Sequence, residues 1–558
     1  MDSGALEMVP RLPRILAPLP FRAKVPPMRH FTSYGPVEPK ANFAVERTEL
    51  VERCVELLVG PDPAKSGYFF TIWGPRQTGK TWIMRRAIEE IRKRYNDQFS
   101  VGWLSMEGIL SDEPTDDEFF RAVPTLLLEG GFGADHVAPK DWNGWLQLFH
   151  KNGGIFERPT ILLIDEFDCL PRSLIDNLIR SFRRIYLNRE AFHLHGLALI
   201  GVRAVLGVDS KRGSPFNIQR SLQIPNLTRD EVVEMFRQYQ AESGQTVEPD
   251  VVEAVFESTR GQPGLMGWFG ELLTEKYNKE KEKPIGRPMW RRVYNRALQV
   301  EWNNTVLNLL KKARGEYRAE VLKLFTDSNV PFGMDKDWCN YLYTNGILDE
   351  TTIVDAEDPE VTTAVCRFSS PFVQLRLFAA LSVDMFGEKG PLPAIVPGDW
   401  LADVFTESGI QVPALLKRYR DYLKRLKTKG IDPWRGQPRR ADLHFTEAVG
   451  HFHLYAWLRE AVGPRCVISP EFPTGNGKVD LVLRTKEMLA VLEVKSFRDM
   501  SELTNYRKQA AGYAKKLGIG QATLVLFAPT EDDDVLETLS GEADVDGVHV
   551  ATVAFGWV

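Results

Sequence analysis

Eight residues early in the chain have the types and the spacing that bind the phosphates of a nucleotide. They satisfy the pattern G-x-x-x-x-G-K-[ST] and are Gly74, Pro75, Arg76, Gln77, Thr78, Gly79, Lys80 and Thr81. An apolar stretch precedes them and a helical pattern follows, which is the context that a phosphate-binding loop requires. In such a loop, backbone N–H groups surround a phosphate, Lys80 neutralises its oxygens and Thr81 offers a hydroxyl to Mg²⁺. The octet therefore predicts that the chain binds ATP with Mg²⁺.

An acidic motif further along the chain complements this loop. The apolar run Ile161–Ile164 is followed by Asp165 and Glu166, and polar residues at the carboxyl ends of parallel strands meet at one edge of the sheet. We expect Asp165 to hold the magnesium shell and Glu166 to activate the attacking water. Arg203 and Arg260 are candidates for sensing the γ-phosphate, and an ordinary surface arginine is the alternative for both.

Three polar residues near the C-terminal end form a second candidate centre. If Arg484 pairs with Leu489 across a hairpin, Asp480 lies opposite Glu493, and cross-strand partners share a face of the sheet. Because side chains alternate along a strand, Lys495 lies on the same face as Glu493, while the intervening apolar residues turn to the other face. The spacing therefore predicts that two carboxylates and an ammonium converge.

The chemistry of this second centre is that of a divalent cation. Adjacent carboxylates repel each other, and a hard cation with oxygen ligands relieves that repulsion. We expect Mg²⁺, with Mn²⁺ as a second option, between Asp480 and Glu493. Such an ion orients and deprotonates water, and Lys495 stabilises charge on a phosphate, which favours phosphodiester hydrolysis. The alternative is a surface hairpin with an ordinary ion pair.

A basic segment precedes this centre. Lys417–Arg440 contains ten Lys or Arg and two Asp, interleaved with Tyr419, Tyr422 and Trp434. This composition favours a strap that follows a nucleic-acid backbone, and a solvated basic helix is the alternative. The whole chain has 70 Lys and Arg against 75 Asp and Glu, a net charge of −5, so nucleic acid must be bound by a local patch.

The elements around these residues predict an α/β fold. Apolar strands at 68–73, 160–164 and 197–202 alternate with helical patterns, which indicates a parallel sheet. Consecutive amphipathic helices at 230–277 predict a helical lid. The order helix, helix, strand, strand at 319–370 is typical of a winged helix.

The cysteine content and the apolar segments indicate the compartment. Five scattered cysteines without a C-x-x-C spacing favour neither a disulfide framework nor a zinc site. No apolar run resembles a signal peptide or a membrane span. We therefore expect a cytoplasmic protein without a membrane partner.

The region from about Phe31 to Phe378 resembles the AAA-like, STAND-related P-loop ATPases of bacteria and archaea. The resemblance rests on the segments FTSYGPVEPKANFAVERTEL, GPRQTGKT, ILLIDEFD, SPFNI, GQPG and FSSPFVQLRL. It implies that Phe43 and Arg47 lie near the adenine of ATP. Homo-oligomerisation stays open because the oligomeric habits of this family vary.

The second centre resembles the PD-(D/E)XK nuclease superfamily over about residues 441–530. The resemblance rests on two short motifs, G-x-x-D at Gly477–Asp480 and E-x-K at Glu493–Lys495. It implies that Glu447 is the upstream glutamate of the metal site and that Gln509 is a catalytic residue on the following helix. Val479 stands where the family name has proline, a departure that removes no ligand.

These patterns together predict the domain organisation and the function. The expected segments are an extended proline-rich arm at 1–40, a P-loop ATPase domain at 41–228, a helical lid at 229–300, a winged helix at 301–395, a basic connector at 396–440 and a restriction-endonuclease-like α/β domain at 441–558. We expect an ATP-regulated, Mg²⁺-dependent nuclease that acts on nucleic acid, with DNA favoured, in prokaryotic defence or on mobile elements. An ATP-driven signalling or assembly switch, whose nuclease-like domain binds nucleic acid without cleaving it, is the alternative, and a motor with an accessory nuclease is a third interpretation.

Overall fold

The computed structural model describes most of the chain. The described residues are 28–109, 113–133, 136–201, 220–325, 330–354, 362–387, 391–407, 409–437, 447–463, 465–473, 478–485 and 488–557. Residues 1–27 of the predicted arm and the segment SPFNI at 214–218 lie outside them. Of the described part of the arm, Phe31 is buried in the core of the lid.

The first unit is a three-layer α/β domain. Its elements are α1 (Thr48–Val59), β1 (Phe69–Trp73), α2 (Lys80–Tyr95), β2 (Ser100–Ser105), α3 (Asp116–Glu129), α4 (Trp142–Leu148), β3 (Thr160–Asp165), α5 (Arg172–Leu187), β4 (Leu194–Gly201) and β5 (Ser221–Gln223). The strands have the order β2-β3-β4-β1-β5, and all the pairs are parallel. Strands β1, β3 and β4 are buried along their whole length because helices cover both faces of the sheet. The predicted parallel α/β sheet is confirmed, and β1 and β3 end at the same edge.

A helical region follows this sheet. It consists of α6 (Arg229–Ser243), α7 (Pro249–Thr259), α8 (Pro263–Glu271) and α9 (Arg287–Gln299). Helix α6 begins at a capping box in which Thr228 and Glu231 exchange side-chain and backbone hydrogen bonds. The first three helices lie where the sequence places amphipathic helices, and we call α6–α9 the lid.

The next region, which we call the helix–hairpin unit, contains α10 (Asn304–Ala313), α11 (Arg318–Leu324), α12 (Asp337–Thr344), β6 (Leu348–Val354), β7 (Thr362–Phe368) and α13 (Pro371–Phe386). Strands β6 and β7 pair antiparallel. The order of helix, helix, strand and strand is the predicted one. Helix α13 begins at Ser370, whose hydroxyl accepts a hydrogen bond from the N–H of Val373.

The C-terminal unit is a mixed sheet between two helical layers. Its elements are β8 (Phe405–Thr406), β9 (Gly409–Ile410), α14 (Val412–Thr428), α15 (Glu447–Val462), β10 (Val467–Pro473), β11 (Lys478–Arg484), β12 (Leu489–Ser496), α16 (Met500–Lys516), β13 (Gln521–Ala528), α17 (Asp533–Leu539), β14 (Gly541–Val545) and β15 (Val548–Gly556). The large sheet has the order β10-β11-β12-β13-β15-β14. Helices α14 and α15 share a core with one face, and α16 and α17 cover the other.

Candidate functional site

The phosphate loop connects β1 to α2 in the geometry that the sequence predicts. Strand β1 ends at Trp73 and α2 begins at Lys80. Gln77 and Gly79 have positive φ values of 59° and 90°, so the backbone turns sharply before the helix. The N–H groups of the first helical turn point out of the helix at this loop, which gives it positive potential.

Two side chains of the loop are fixed by oxygen partners. The Thr81 hydroxyl donates to Asp165 Oδ2 at 2.7 Å. The Lys80 ammonium donates to the carbonyl oxygens of Gly74 and Pro75 at 2.9 and 2.8 Å. Burial lowers the pKa of Lys80 to about 8, and the carboxylates of Asp168 and Asp165 oppose that shift. The loop and the acidic end of β3 are therefore one site.

Glu166 follows this acidic strand in a left-handed backbone conformation, with φ of 54°. Its N–H donates to Asp165 Oδ1 at 3.0 Å. Burial raises the pKa of Glu166, and the negative charges of Glu107 and Asp165 raise it further. A carboxylate with a raised pKa is a stronger base.

The lid and the helix–hairpin unit both contact the phosphate loop. Gln262, at the N-terminus of α8, donates from Nε2 to the carbonyl of Arg76 at 3.2 Å. The Thr305 hydroxyl of α10 donates to Gln77 Oε1. Gly346 lies so near the loop that a Cβ there would meet Pro75 Cβ at 2.9 Å. Residues of the lid and of the helix–hairpin unit thus contact the phosphate loop directly.

The remaining residues predicted for the nucleotide site have other neighbours. Phe43 is buried in the lid core, with its ring 5.1 Å from that of Phe31. The buried Arg47 side chain donates to the carbonyls of Pro225 and Asn226 at 3.0 and 3.2 Å. Their predicted place beside the adenine stays a prediction.

The two candidate sensor arginines differ in what the structure describes. Arg260 is partly exposed and forms an ion pair of 3.1 Å with Glu257. Arg203 lies outside the described residues. Their role in sensing the γ-phosphate stays a prediction.

The C-terminal hairpin has the predicted register. Arg484 pairs with Leu489 and Leu481 with Leu492 across β11 and β12. Continuing this register places Asp480 opposite Glu493. The apolar residues between them, Leu481, Leu483, Leu492 and Val494, are buried in the core on the opposite face.

The polar side chains of the hairpin converge on the Lys495 ammonium. Lys495 Nζ lies 2.9 Å from Glu493 Oε1, 3.0 Å from Glu447 Oε1 and 3.8 Å from Asp480 Oδ2. Asp480 Oδ2 also accepts a hydrogen bond of 2.7 Å from the N–H of Val494. Helix α15 therefore brings Glu447 to the hairpin, and we call these four side chains the carboxylate–lysine cluster.

Burial sets the protonation of this cluster. Glu493 has no exposed surface, and Glu493 Oε2 has no hydrogen-bond partner among the described residues. Burial raises the pKa of Glu493 well above its usual value, and the neighbouring Asp480 carboxylate adds to that shift. Burial acts to lower the pKa of Lys495, but the attraction of Asp480, Glu493 and Glu447 outweighs it and raises that pKa well above the usual value. Lys495 is therefore charged, and Glu493 binds a proton more readily than a solvated glutamate.

The cluster is arranged around an ammonium ion. Among the described residues, no group of three His, Cys, Asp or Glu side chains has an arrangement that could hold a metal ion. The carboxylates spread around Lys495 Nζ, which lies within 4 Å of all three. A cation at this site would compete with the Lys495 ammonium for the same oxygens.

Helix α16 borders the cluster. Gln509 Nε2 donates to the Tyr513 hydroxyl at 2.9 Å. Burial raises the pKa of Tyr513, and the charge of Glu493 contributes to the shift. Gln509 is thus held at the edge of the cluster by Tyr513, and its catalytic role stays a prediction.

Sequence reasoning missed two residues of these sites. Asp168 makes the largest electrostatic contribution that raises the pKa of Lys80, and its place in the string DEFD could have indicated this. His451 is buried, and its Nε2 lies 2.9 Å from the carbonyl oxygen of Asp480. The sequence indicates only that His451 is a core or surface histidine, since no spacing relates it to Asp480.

The structure contradicts the aromatic part of the predicted nucleic-acid strap. Tyr419, Tyr422 and Trp434 are buried in the C-terminal core and cannot stack on bases. Several basic side chains of α14 are also occupied: Arg418 by Asp399 and Asp403, Lys424 by Asp533 and Lys427 by Glu531. The apolar face of α14 makes this helix part of the C-terminal unit. Exposed Lys417, Lys429 and Arg435 still suit phosphate contacts, while Arg439 and Arg440 lie outside the described residues.

Comparison with solved structures gives distant similarities. No protein-family model matches the chain, and no curated protein matches it. The ORC1 protein of Aeropyrum pernix in complex with DNA is 16% identical at a TM-score of 0.32, over 61% of this chain and 92% of that one. A Walker-type ATPase of Pyrococcus abyssi is 13% identical at 0.38, over 62% and 98%. The RuvB Holliday junction branch migration motor of Thermotoga maritima is 16% identical at 0.33, over 55% and 92%. With scores this low, the fold is established by the sheet order and the loop geometry of the chain itself.

Among the described residues, no helix combines the length and the apolar character needed to cross a bilayer.

Proposed function

We propose that the chain binds ATP with Mg²⁺ at the loop of residues 74–81 and hydrolyses it there. The contact of 2.7 Å between the Thr81 hydroxyl and Asp165 supports this proposal, because it joins the two oxygen groups assigned to Mg²⁺. When bound, Mg²⁺ would neutralise charge on the phosphates. Lys80 would exchange its loop carbonyls for phosphate oxygens. Glu166, with its raised pKa, would take a proton from the attacking water.

The second part of the proposal is a nuclease centre at the carboxylate–lysine cluster. Three carboxylates and one ammonium carry a formal charge of −2 when all are ionised, which a divalent cation would neutralise. The buried Oε2 of Glu493, for which the described part of the chain offers no hydrogen-bond partner, supports this assignment. Asp480, Glu493 and Glu447 surround Lys495 Nζ, so they would have to turn away from the ammonium to hold Mg²⁺ or Mn²⁺. The ion would then supply a polarised water for attack on a phosphodiester. Lys495, displaced from the carboxylates, would stabilise charge on the phosphate.

The combined activity is ATP-regulated cleavage of nucleic acid. The single observation that carries it is the convergence of Asp480, Glu493 and Glu447 on Lys495 in a chain that also has a complete phosphate loop. The proposed substrate is DNA. The helix–hairpin unit is proposed to be a winged helix. A role in prokaryotic defence or on mobile elements follows from the family resemblance alone.

A cleavage panel tests both parts of the proposal. Supercoiled plasmid, linear DNA and RNA are incubated with the protein and Mg²⁺ or Mn²⁺, with and without ATP. We expect Lys495→Ala to abolish cleavage, and Lys80→Ala to abolish only the effect of ATP. Lys515→Ala, an exposed lysine on α16, is the matched control. Cleavage that is unchanged in Lys495→Ala contradicts the nuclease site, and cleavage indifferent to Lys80→Ala and to ATP contradicts regulation.

One observation favours a second function. Lys495 Nζ lies within 4 Å of all three carboxylates without a metal, and a buried ion cluster of this kind also serves as a structural element. In that case the chain is an ATP-driven assembly switch whose C-terminal unit binds nucleic acid without cleaving it. A change in the mass of the assembled protein when ATP is added, without cleavage of nucleic acid in Mg²⁺ or Mn²⁺, supports this function.

A further inference from the structure

Helix α15 controls two contacts of the carboxylate–lysine cluster at once. Glu447 and His451 are separated by four residues and therefore lie on the same side of this helix. Glu447 Oε1 contacts Lys495 Nζ at 3.0 Å, and His451 Nε2 contacts the Asp480 carbonyl at 2.9 Å. Because a carbonyl oxygen only accepts, Nε2 of His451 is the protonated ring nitrogen. A shift of α15 therefore moves a carboxylate and the backbone of Asp480 together.

Helix α13 of the helix–hairpin unit packs directly on this part of α15. The ring of Phe378 stacks on Phe452 with centroids 4.2 Å apart and an interplanar angle of 13°. The same ring lies 4.9 Å from His451 and meets Tyr455 edge-on at 4.7 Å. Phe378 is fully buried. Phe378 is thus the side chain through which α13 fixes the position of α15.

The other contacts of α13 lead back to the phosphate loop by two routes. Helix α8 begins beside Gln262, whose amide donates to the Arg76 carbonyl of the loop. Further along α8, the rings of Trp268 and Phe269 pack against Phe372 of α13, with centroids 5.8 and 5.1 Å apart. Helices are stiff over this length, so displacement at one end reaches the other.

The second route runs through α10. Thr305, near the N-terminus of α10, holds Gln77 of the loop. At the other end, Arg314 forms a two-pronged ion pair with Asp384 of α13, at 2.7 and 2.8 Å. Both helices therefore begin at the loop and end on α13.

From this arrangement we infer that α13 transmits the nucleotide state of the phosphate loop to the carboxylate–lysine cluster, and that His451 is a positioning residue for Asp480. This inference rests on the proposed function. A phosphate in the loop draws Gln262 Nε2 away from the Arg76 carbonyl and the Thr305 hydroxyl away from Gln77 Oε1. Helices α8 and α10 then shift, and α13 moves α15 through Phe378. The movement changes the Lys495–Glu447 contact, and with it the affinity of the cluster for a divalent cation.

The positioning role of His451 is tested by Mn²⁺ binding to the full chain, measured by calorimetry without nucleotide. We expect His451→Phe to weaken binding at the cluster about tenfold, since loss of an outer-shell partner costs 10–100-fold in metal affinity. His451→Gln, which retains a donor for the Asp480 carbonyl, should restore most of it. Asp480→Asn defines loss of the site. Equal affinity in wild type and His451→Phe overturns the assignment.

The coupling role of α13 is tested by Phe378→Leu, with Phe405→Leu as a matched phenylalanine substitution away from α13. The ratio of cleavage rates with and without ATP should fall to near one. A ratio that stays at the wild-type value while ATP still binds contradicts the inference.

Hydrogen exchange makes the inference testable even without cleavage. A non-hydrolysable ATP analogue should change exchange in peptides 447–458 and 489–496 of wild type and not of Phe378→Leu. Unchanged exchange there in wild type refutes coupling through α13. A chain that shows the exchange response but never cuts nucleic acid refutes the nuclease proposal and leaves the coupling supported.

Discussion

Replacing Lys495 by methionine removes the cation that lies within 4 Å of all three carboxylates of the cluster. At an effective dielectric constant of about 20, each contact of 2.9–3.8 Å contributes about 4–6 kcal/mol of attraction before desolvation is subtracted. The net cost of removing one partner from a buried ion cluster is smaller, about 3–5 kcal/mol. For a unit of this size, that corresponds to a decrease of roughly 6–20 °C in the melting temperature.

The pH dependence of Lys495→Met is the sharper part of this prediction. Burial and the Asp480 carboxylate raise the pKa of Glu493, and the Lys495 ammonium opposes that shift, so its removal raises the folded pKa of Glu493 further above the unfolded value of about 4. A carboxyl group whose pKa is raised by folding does not lower the free energy of unfolding at pH values below its unfolded pKa. It lowers that free energy progressively as the pH rises through its folded pKa. The variant should therefore approach wild type at pH 4 and show its full loss at pH 8.

Thermal unfolding of the full chain at these two pH values, with and without Mn²⁺, is the assay. Mn²⁺ should restore stability at pH 8, because it replaces the lost positive charge. Lys515→Met, an exposed lysine, should melt like wild type under every condition. A loss in Lys495→Met that is equal at both pH values and indifferent to Mn²⁺ would refute the electrostatic reasoning.

Three further predictions concern single side chains. Glu493→Gln should raise the melting temperature at pH 7, because it removes a buried carboxylate of raised pKa; thermal unfolding checks this. The same substitution should abolish Mn²⁺ binding at the cluster, which calorimetry checks. Thr81→Val should slow ATP hydrolysis at least tenfold in a phosphate-release assay, whereas Thr81→Ser, which keeps the hydroxyl that contacts Asp165, should stay near wild type. Thr228→Ala should cost about 1 kcal/mol in denaturant unfolding because it breaks the capping box with Glu231.

The sequence predicts the structure best where side chains alternate regularly along a strand or where a motif fixes each residue type. The register of Asp480 and Glu493 follows from alternation at period two, since a slip of one residue would turn Asp480 into the apolar core that holds Leu481 and Leu492. The phosphate loop follows from a pattern in which each residue type has one physical task. Both could therefore be predicted without coordinates.

Features that depend on distant packing could not be predicted. Strand β2 escaped detection because Gly102 interrupts its apolar pattern; the glycine is needed where the carbonyl of Gly130 approaches the strand. Tyr419 and Tyr422 alternate with cations in the sequence, but at helical spacing they form the buried face of α14. The link between His451 and Asp480 joins residues 29 positions apart, and no local pattern indicates it.

The most direct test of the account is the rate at which the chain nicks supercoiled plasmid with Mg²⁺ and ATP, compared between Asp480→Asn and the exposed control Asp544→Asn. We expect nicking by wild type and by Asp544→Asn, and a loss of at least a hundredfold in Asp480→Asn. Equal nicking by Asp480→Asn and wild type would contradict a hydrolytic centre at the carboxylate–lysine cluster.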